Sequence, residues 1–172
     1  NFKHVIKSIE KYCTTQRIFT SKSERIEPAQ YTPATQIIEK NTHQVHYMVG
    51  NRAYNLYHEN RMGLYLLNNI LGGPGMNSLL NLSLREKHGL VYNVESSYQP
   101  FTDTGMWSVY FGCDPENMVR CEKLVFAELQ KLREQKLSDT VRKHIEAVTA
   151  EKIQEIANEI FNPEQLTVLK YI

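Results

Sequence analysis

The 172-residue sequence has few of the features that mark membrane-spanning, nucleic-acid-binding or disulfide-stabilised proteins. Its three cysteines, Cys13, Cys113 and Cys121, are too few and too scattered for a disulfide framework. Its apolar runs are only a few residues long, far short of a bilayer span. The 20 basic and 19 acidic residues form no long block of one sign, which argues against capture of nucleic acid as the main task. The remaining composition, 41% hydrophobic and 23% charged, is typical of a globular domain.

Motifs that would give the chain a catalytic centre of its own are also missing. Neither H-E-x-x-H nor its inverted form H-x-x-E-H occurs. His43 and His46 are three apart on a predicted strand, so they point to opposite faces and cannot bind one ion together. No G-x-S-x-G sequence is present, and Cys113 has no evident histidine partner. We therefore expect no metal ion and no catalytic residue in this chain.

Along the sequence, hydrophobic residues recur at a spacing that alternates between that of a helix and that of a strand. The predicted elements are a helix over 2–13, strands over 36–39 and 44–50, helices over 56–71 and 77–86, strands over 91–98 and 106–113, a helix that starts at 114–116, a helix capped by Thr149, and a strand over 166–171. Residues 14–33, which contain serine and proline without periodicity, are predicted to be a linker. Hairpins dominate over parallel crossovers, so the fold class predicted is α+β, in two layers, with helices packed on one face of a mainly antiparallel sheet.

Two segments in the middle of the chain form a distinctive pair. The first is Leu-Gly-Gly-Pro-Gly-Met-Asn-Ser-Leu-Leu over 71–80, and the second is Leu-Arg-Glu-Lys-His-Gly-Leu-Val-Tyr over 84–92. Together they resemble the C-terminal, non-zinc-binding half-domain of the pitrilysin-like (insulinase-family) zinc metallopeptidases, in a bacterial form similar to the mitochondrial processing peptidase. Further matches follow in the same order, at Gly-x-Trp over 105–107, Cys-Asp-Pro over 113–115 and Ala-Val-Thr-Ala-Glu over 147–151. The resemblance covers roughly residue 35 to the end, and such an ordered set is more specific than any single motif.

The resemblance implies a role and a domain organisation. In this family two homologous half-domains enclose a chamber, the first holds zinc, and the second supplies an arginine and a tyrosine to the peptide. Arg85 and Tyr92 are by this resemblance the substrate-binding residues. Residues 1–33 would be the tail of the preceding zinc-binding half-domain plus a linker, and residues 34–172 the inactive half-domain. The chain would then be the substrate-binding, non-catalytic domain of a zinc-dependent endopeptidase, inactive on its own.

The resemblance also implies partners. Zinc is expected in the other half-domain, which belongs to the same chain or to a partner subunit of a homo- or heterodimer. A peptide is the expected substrate. Neither nucleic acid nor a membrane span is expected, and the bacterial cytoplasm or periplasm is the expected location.

Other interpretations of these residues stay open. Spacing alone allows Arg85 to cap its own helix and Tyr92 to pack. Gly72, Gly73 and Gly75 form either a chamber or hinge loop, in which the backbone approaches another part closely, or a plain helix stop.

The sequence departs from the family in two places. Leu79 stands where relatives often have an arginine. One or two helices that the family usually has after 138–140 are absent. Either these helices are deleted, or a segment near Thr140 is missing from the sequence, and the second is the expectation.

Two alternative functions remain. The chain could be a non-catalytic peptide-binding or assembly subunit of the same fold, since core subunits of respiratory complexes show that the fold can lose catalysis. An unrelated α+β binding module is the weaker alternative.

Overall fold

A computed structural model describes residues 1–13, 28–40, 42–134 and 149–172. The helices are α1 (Phe2–Tyr12), α2 (Arg61–Gly72), α3 (Met118–Glu134) and α4 (Ala150–Ile160), and the strands are β1 (Thr35–Ile38), β2 (Val45–Ala53), β3 (Val91–Pro100), β4 (Gly105–Cys113) and β5 (Thr167–Tyr171). A π-helical turn spans Asn81–Glu86, and 3₁₀ turns span Pro115–Asn117 and Pro163–Gln165. The predicted order of elements is confirmed. Most of the predicted linker and the predicted missing segment near Thr140 lie outside the described residues.

The five strands form one sheet in the order β1-β5-β2-β4-β3. Among the described strands, only the β1–β5 pair is parallel, whereas β2–β5, β2–β4 and β3–β4 are antiparallel. The predicted α+β fold with a mainly antiparallel sheet is therefore confirmed. Because β5 lies between β1 and β2, the strand nearest the end of the sequence is an interior strand of the sheet.

The hydrophobic core lies between one face of the sheet and the helices α2, α3 and α4. Alternate residues of β2 and β4 point into it and are fully buried, among them Tyr47, Val49, Trp107, Val109 and Phe111. The Tyr47 and Phe111 rings stack with centroids 4.6 Å apart, and Trp107 packs on Phe161 at 4.4 Å. The opposite face of the sheet, here called the open face, carries no helix among the described residues, and Met48 and Met106 are exposed on it.

Two helix starts differ from the sequence prediction. Helix α2 begins at Arg61 and not near Leu56, because the Asn55 side chain accepts a bond from Tyr57 N at 2.9 Å and sets a turn. The predicted second helix is mostly the π-helical turn, with Lys87 N bonded to Leu82 O at 3.0 Å. The Ser78 hydroxyl, near the start of this segment, accepts a hydrogen bond from the Asn81 side chain at 2.9 Å.

Candidate functional site

The π-helical turn and the start of β3 place Arg85 and Tyr92 on either side of one tight reversal. Gly89 adopts a φ of +61°, a conformation that suits glycine, and its N–H bonds to Arg85 O at 2.8 Å. Leu90 N bonds to Leu84 O at 2.9 Å and draws the two sides of the reversal together. Gly89 therefore makes the tight reversal between the π-helical turn and β3, and the buried Leu84 and Leu90 anchor it.

Tyr92 occupies an irregular position in β3. The pairing with β4 slips between Val91 and Asn93, so that Tyr92 is the extra residue of a β-bulge. Its side chain is 67% exposed, although Val91 before it is buried. Bulges re-aim a side chain relative to the regular alternation of a strand, and here the phenol is turned to the outside.

Arg85 is also directed outwards. Its side chain is 51% exposed, and its nearest ionic neighbour among the described residues is Glu86, with Nε 3.9 Å from Oε1. That separation is too long for a hydrogen bond, so the pair holds the guanidinium only weakly. Neither the Arg85 guanidinium nor the Tyr92 hydroxyl is engaged in a hydrogen bond with another described residue.

At each of the three glycines in the loop after α2, a side chain would meet different neighbouring atoms. A Cβ at Gly72 would lie 2.8 Å from Ser96 N, so this glycine allows α2 to pack closely on β3. A Cβ at Gly73 would lie 2.8 Å from the Asn69 Cα, against the preceding helical turn. A Cβ at Gly75 would meet only the end of the Asn77 side chain, at 2.7 Å. The close approaches of Gly72 and Gly73 are thus within this chain.

The cysteines and histidines do not form a second reactive centre in the described part of the chain. Cys113 and Cys121 are free and buried, as expected for core residues. A hydrogen bond with Cys121, together with burial, raises the pKa of the Cys113 thiol and keeps it protonated. No three histidine, cysteine or carboxylate side chains of the described residues come close enough to hold a metal ion. These residues do not fit a zinc site.

Buried tyrosines beneath the sheet are held neutral. Burial, followed by a hydrogen bond from the Tyr47 hydroxyl to Glu122 at 2.8 Å, raises the pKa of Tyr47. Burial likewise raises the pKa of Tyr98 to about 12, and its hydroxyl donates to Tyr54 O at 2.7 Å. These phenols are structural donors and are closed to a ligand. Tyr92, by contrast, is an exposed phenol.

Comparison with known proteins gives the chain a family. The model of the peptidase M16 inactive domain matches residues 1–144, a range that includes α1 and the motifs noted between residues 71 and 115. An uncharacterized zinc protease of Streptomyces coelicolor is 36% identical over 104 residues, which is 60% of this chain and 22% of that protein. The uncharacterized zinc protease YmxG of Bacillus subtilis is 29% identical over 128 residues, 74% of this chain and 31% of that protein.

A solved structure supports the same fold. The peptidase M16 inactive domain from Pseudomonas fluorescens superposes with a TM-score of 0.77 at 18% identity, over 87% of this chain and 45% of that one.

The present chain spans less than a third of the length of the two curated relatives. Among the helices of the described residues, none has the length and apolar character needed to cross a bilayer. Because the family model matches most of the sequence, the chain belongs to the pitrilysin-like M16 peptidases, as a domain of their inactive, C-terminal type.

Proposed function

We propose that this chain is the substrate-binding, non-catalytic domain of a zinc-dependent endopeptidase, and that Arg85 and Tyr92 contact the peptide. In this proposal zinc is bound by the other half-domain, and the residues of this chain do not bind it. The chain faces that half-domain, in the same polypeptide or in a partner subunit, across the peptide-binding chamber.

The observation that carries the proposal is the exposure of two hydrogen-bonding side chains on a well-anchored reversal. A tyrosine whose role was packing would be buried, but Tyr92 is 67% exposed beside buried Val91. An arginine that capped its own helix would bond the last carbonyls of the turn, and Arg85 makes no such bond to a described residue. Both groups are therefore available to a ligand, while Leu84 and Leu90 hold the backbone in place.

The chemistry suits an amide bond. A phenol O–H aimed at the scissile carbonyl donates a hydrogen bond that strengthens as negative charge develops on the oxygen. A guanidinium has five donors in a planar fork, so it can bind a peptide carbonyl and orient the phenol at once. Tyr92 would thus stabilise the reacting carbonyl, and Arg85 would position the peptide.

The test is Tyr92→Phe in the complete zinc-loaded protein. Loss of one oxyanion donor typically lowers kcat about 10²- to 10³-fold, and we expect a fall of this order. The melting temperature should stay unchanged because the hydroxyl makes no bond within the described part of the chain. Tyr57→Phe, at a phenol that is also exposed, is the matched control and should cleave normally. Wild-type cleavage by Tyr92→Phe would show that the assigned role is wrong.

The alternative is a peptide-binding or assembly subunit of the same fold without catalysis. It is favoured if the complete protein binds peptides but cleaves none with zinc supplied. In that case Tyr92→Phe would alter the dissociation constant of a peptide and not a turnover number.

A further inference from the structure

The carbonyls of residues 82–85 lie at the end of the π-helical turn, where a helix leaves acceptors without donors of its own. Three of them accept from the backbone: Leu82 O from Lys87 N at 3.0 Å, Leu84 O from Leu90 N at 2.9 Å, and Arg85 O from Gly89 N at 2.8 Å. The fourth, Ser83 O, lies 2.6 Å from the Nδ1 atom of His88. A side chain therefore supplies the donor that the described backbone does not.

The contact between His88 and Ser83 fixes which nitrogen of the imidazole carries the proton. A backbone carbonyl only accepts hydrogen bonds, so Nδ1 must be the donor. Nε2 is then the bare nitrogen of the neutral ring. The bond to the turn is made through Nδ1–H, the nitrogen nearer to the backbone of His88.

Ser83 O is also the acceptor that an α-helical form of the turn would need. In an α-helix the amide of residue 87 bonds to the carbonyl of residue 83, four residues before it. In the structure Lys87 N bonds to Leu82 O, five residues before it, which is the π-helical register. In the α-helical register Lys87 N would have to share Ser83 O with the His88 ring. The side-chain bond therefore favours the π-helical register.

Arg85 lies inside the loop that the bond between Ser83 and His88 closes. Each residue of an α-helix turns the chain by roughly 100° about the helix axis, so a change of one residue in register would redirect the Arg85 side chain. That side chain is 51% exposed, and its ionic neighbour Glu86, at 3.9 Å, holds it only weakly. The direction of the guanidinium is therefore set chiefly by the backbone of the turn.

We propose that His88 is a positioning residue, whose Nδ1–H holds the turn in the π-helical register and thereby directs Arg85 towards the peptide. The proposal rests on the proposed function, and it adds the residue that orients the arginine. His88 acts through the backbone of the turn and does not itself contact the peptide.

Two substitutions separate the donor of His88 from the bulk of its ring. His88→Leu keeps a branched side chain without a donor, whereas His88→Asn places an amide N–H donor near the position of Nδ1. Crystal structures of the complete protein and both variants show the register directly. We expect Lys87 N to bond to Ser83 O in His88→Leu, and to Leu82 O in His88→Asn as in the unmodified protein.

Kinetics of the complete zinc-loaded protein, with fluorescein-labelled casein as the substrate, measure the effect on the peptide. We expect His88→Leu to raise KM roughly fivefold with kcat nearly unchanged, because Arg85 positions the peptide and one hydrogen bond typically accounts for a ratio of this size. His88→Asn should restore KM. In an Arg85→Ala background, His88→Leu should have no further effect, because the arginine to be directed is absent.

His58→Leu is the matched control. His58 is also half-buried, and its Nδ1 contacts a nearby backbone atom, Asn60 N, at 3.1 Å in the turn before α2. Loss of this local bond should lower the melting temperature without changing KM. An equal rise of KM in His58→Leu and His88→Leu would assign the effect to stability and contradict the proposal.

Three further results would overturn the proposal. The π-helical register could persist in His88→Leu, His88→Asn could fold without restoring KM, or the effects of His88→Leu and Arg85→Ala on KM could simply add. A KM that His88→Asn does not restore would point to contact of the peptide with Nε2, which asparagine lacks.

His88→Ala also lacks the donor and replaces His88→Leu if the leucine variant does not fold. If neither folds while His88→Asn does, the donor serves folding and the positioning role is wrong. The crystal structures test the register whether or not casein is cleaved. Failure of the proposed function is a separate result, because it appears as normal cleavage by Tyr92→Phe or an unchanged KM in Arg85→Ala.

Discussion

Three buried polar side chains join helix α2 to strands β3 and β4. Ser96 Oγ donates to Asn68 Oδ1 at 2.6 Å and accepts from Trp107 Nε1 at 3.0 Å, and Asn68 Nδ2 donates to Ser96 O at 3.1 Å. Buried polar groups are costly unless they are paired, and here each one meets a complementary partner. One hydroxyl therefore satisfies both an amide and the only tryptophan of the sequence.

Ser96→Ala should lower the free energy of unfolding by about 2–3 kcal/mol, because Asn68 Oδ1 and Trp107 Nε1 both lose a buried partner. Urea unfolding followed by tryptophan fluorescence measures the change. Ser97→Ala, one residue on and on the opposite face, is the control and should stay within about 0.5 kcal/mol. A small effect at Ser96 would mean that water or a rearranged side chain replaces the hydroxyl.

At the scale of elements, the packing of α2 on β3 depends on how closely the two backbones approach. The last residue of α2 is Gly72, and the atoms that a Cβ there would meet are the backbone N and the Cβ of Ser96, both at 2.8 Å. Backbone atoms held in the β3–β4 pairing cannot swing away as a flexible side chain can. The glycine therefore sets the distance between the helix and the strand.

Gly72→Ala should lower the free energy of unfolding by about 1 kcal/mol or more, since overpacking costs of about 1–3 kcal/mol exceed the gain in helix propensity at a terminal position. Gly75→Ala should be nearly neutral, because the atom it meets is the end of the exposed Asn77 side chain. Thermal unfolding of the two variants compares them directly. Equal melting temperatures would contradict the packing role of Gly72.

Local chemistry made several elements predictable from the sequence. Thr149 was expected to cap a helix, and its hydroxyl accepts from Lys152 N at 3.2 Å at the start of α4. Pro115 was expected to open a helix, and it begins the 3₁₀ turn that leads into α3. Such signals are contained in three or four neighbouring residues, so no knowledge of the tertiary structure is needed.

The remaining features depend on register, which a single sequence does not specify. The alternation in β2 and β4 predicted two faces but not which residues stand opposite one another, so the pairing of Gly50 with Ser108 was not foreseen. The bulge at Tyr92 also arises from a slip between two strands. The motif identified Arg85 and Tyr92 as candidates by resemblance, and their role in binding stays a prediction.

At the scale of the whole molecule, buried tyrosines couple stability to alkaline pH. Burial raises the pKa of Tyr47, Tyr54 and Tyr98, the last to about 12, whereas an unfolded tyrosine ionises near pH 10. The folded state therefore keeps these phenols protonated while the unfolded state loses their protons. The stability they contribute is fully present below about pH 10 and is lost as the pH rises from there through the folded pKa values.

We expect the urea midpoint of the protein to fall between about pH 10 and about pH 12, with a smaller fall in Tyr98→Phe, which removes one of the three ionisations from the linkage. Over the same pH range, unfolding should increase the ultraviolet absorbance of phenolate, because the tyrosines ionise once they are exposed. A midpoint that stays constant over this range would show that the phenols ionise equally in both states.

The position of β5 has a consequence for how the protein is made. Strand β5 is inserted between β1 and β2, so β1 has no partner among the other described strands until Thr167–Tyr171 has left the ribosome. During translation, the hairpin of β3 and β4 and its pairing with β2 can assemble first, while β1 waits as an unpaired strand. Pairings between distant segments are slow to form. A ribosome stalled before β5 would therefore carry a three-stranded sheet with two vacant edges, the kind of intermediate that holding chaperones protect.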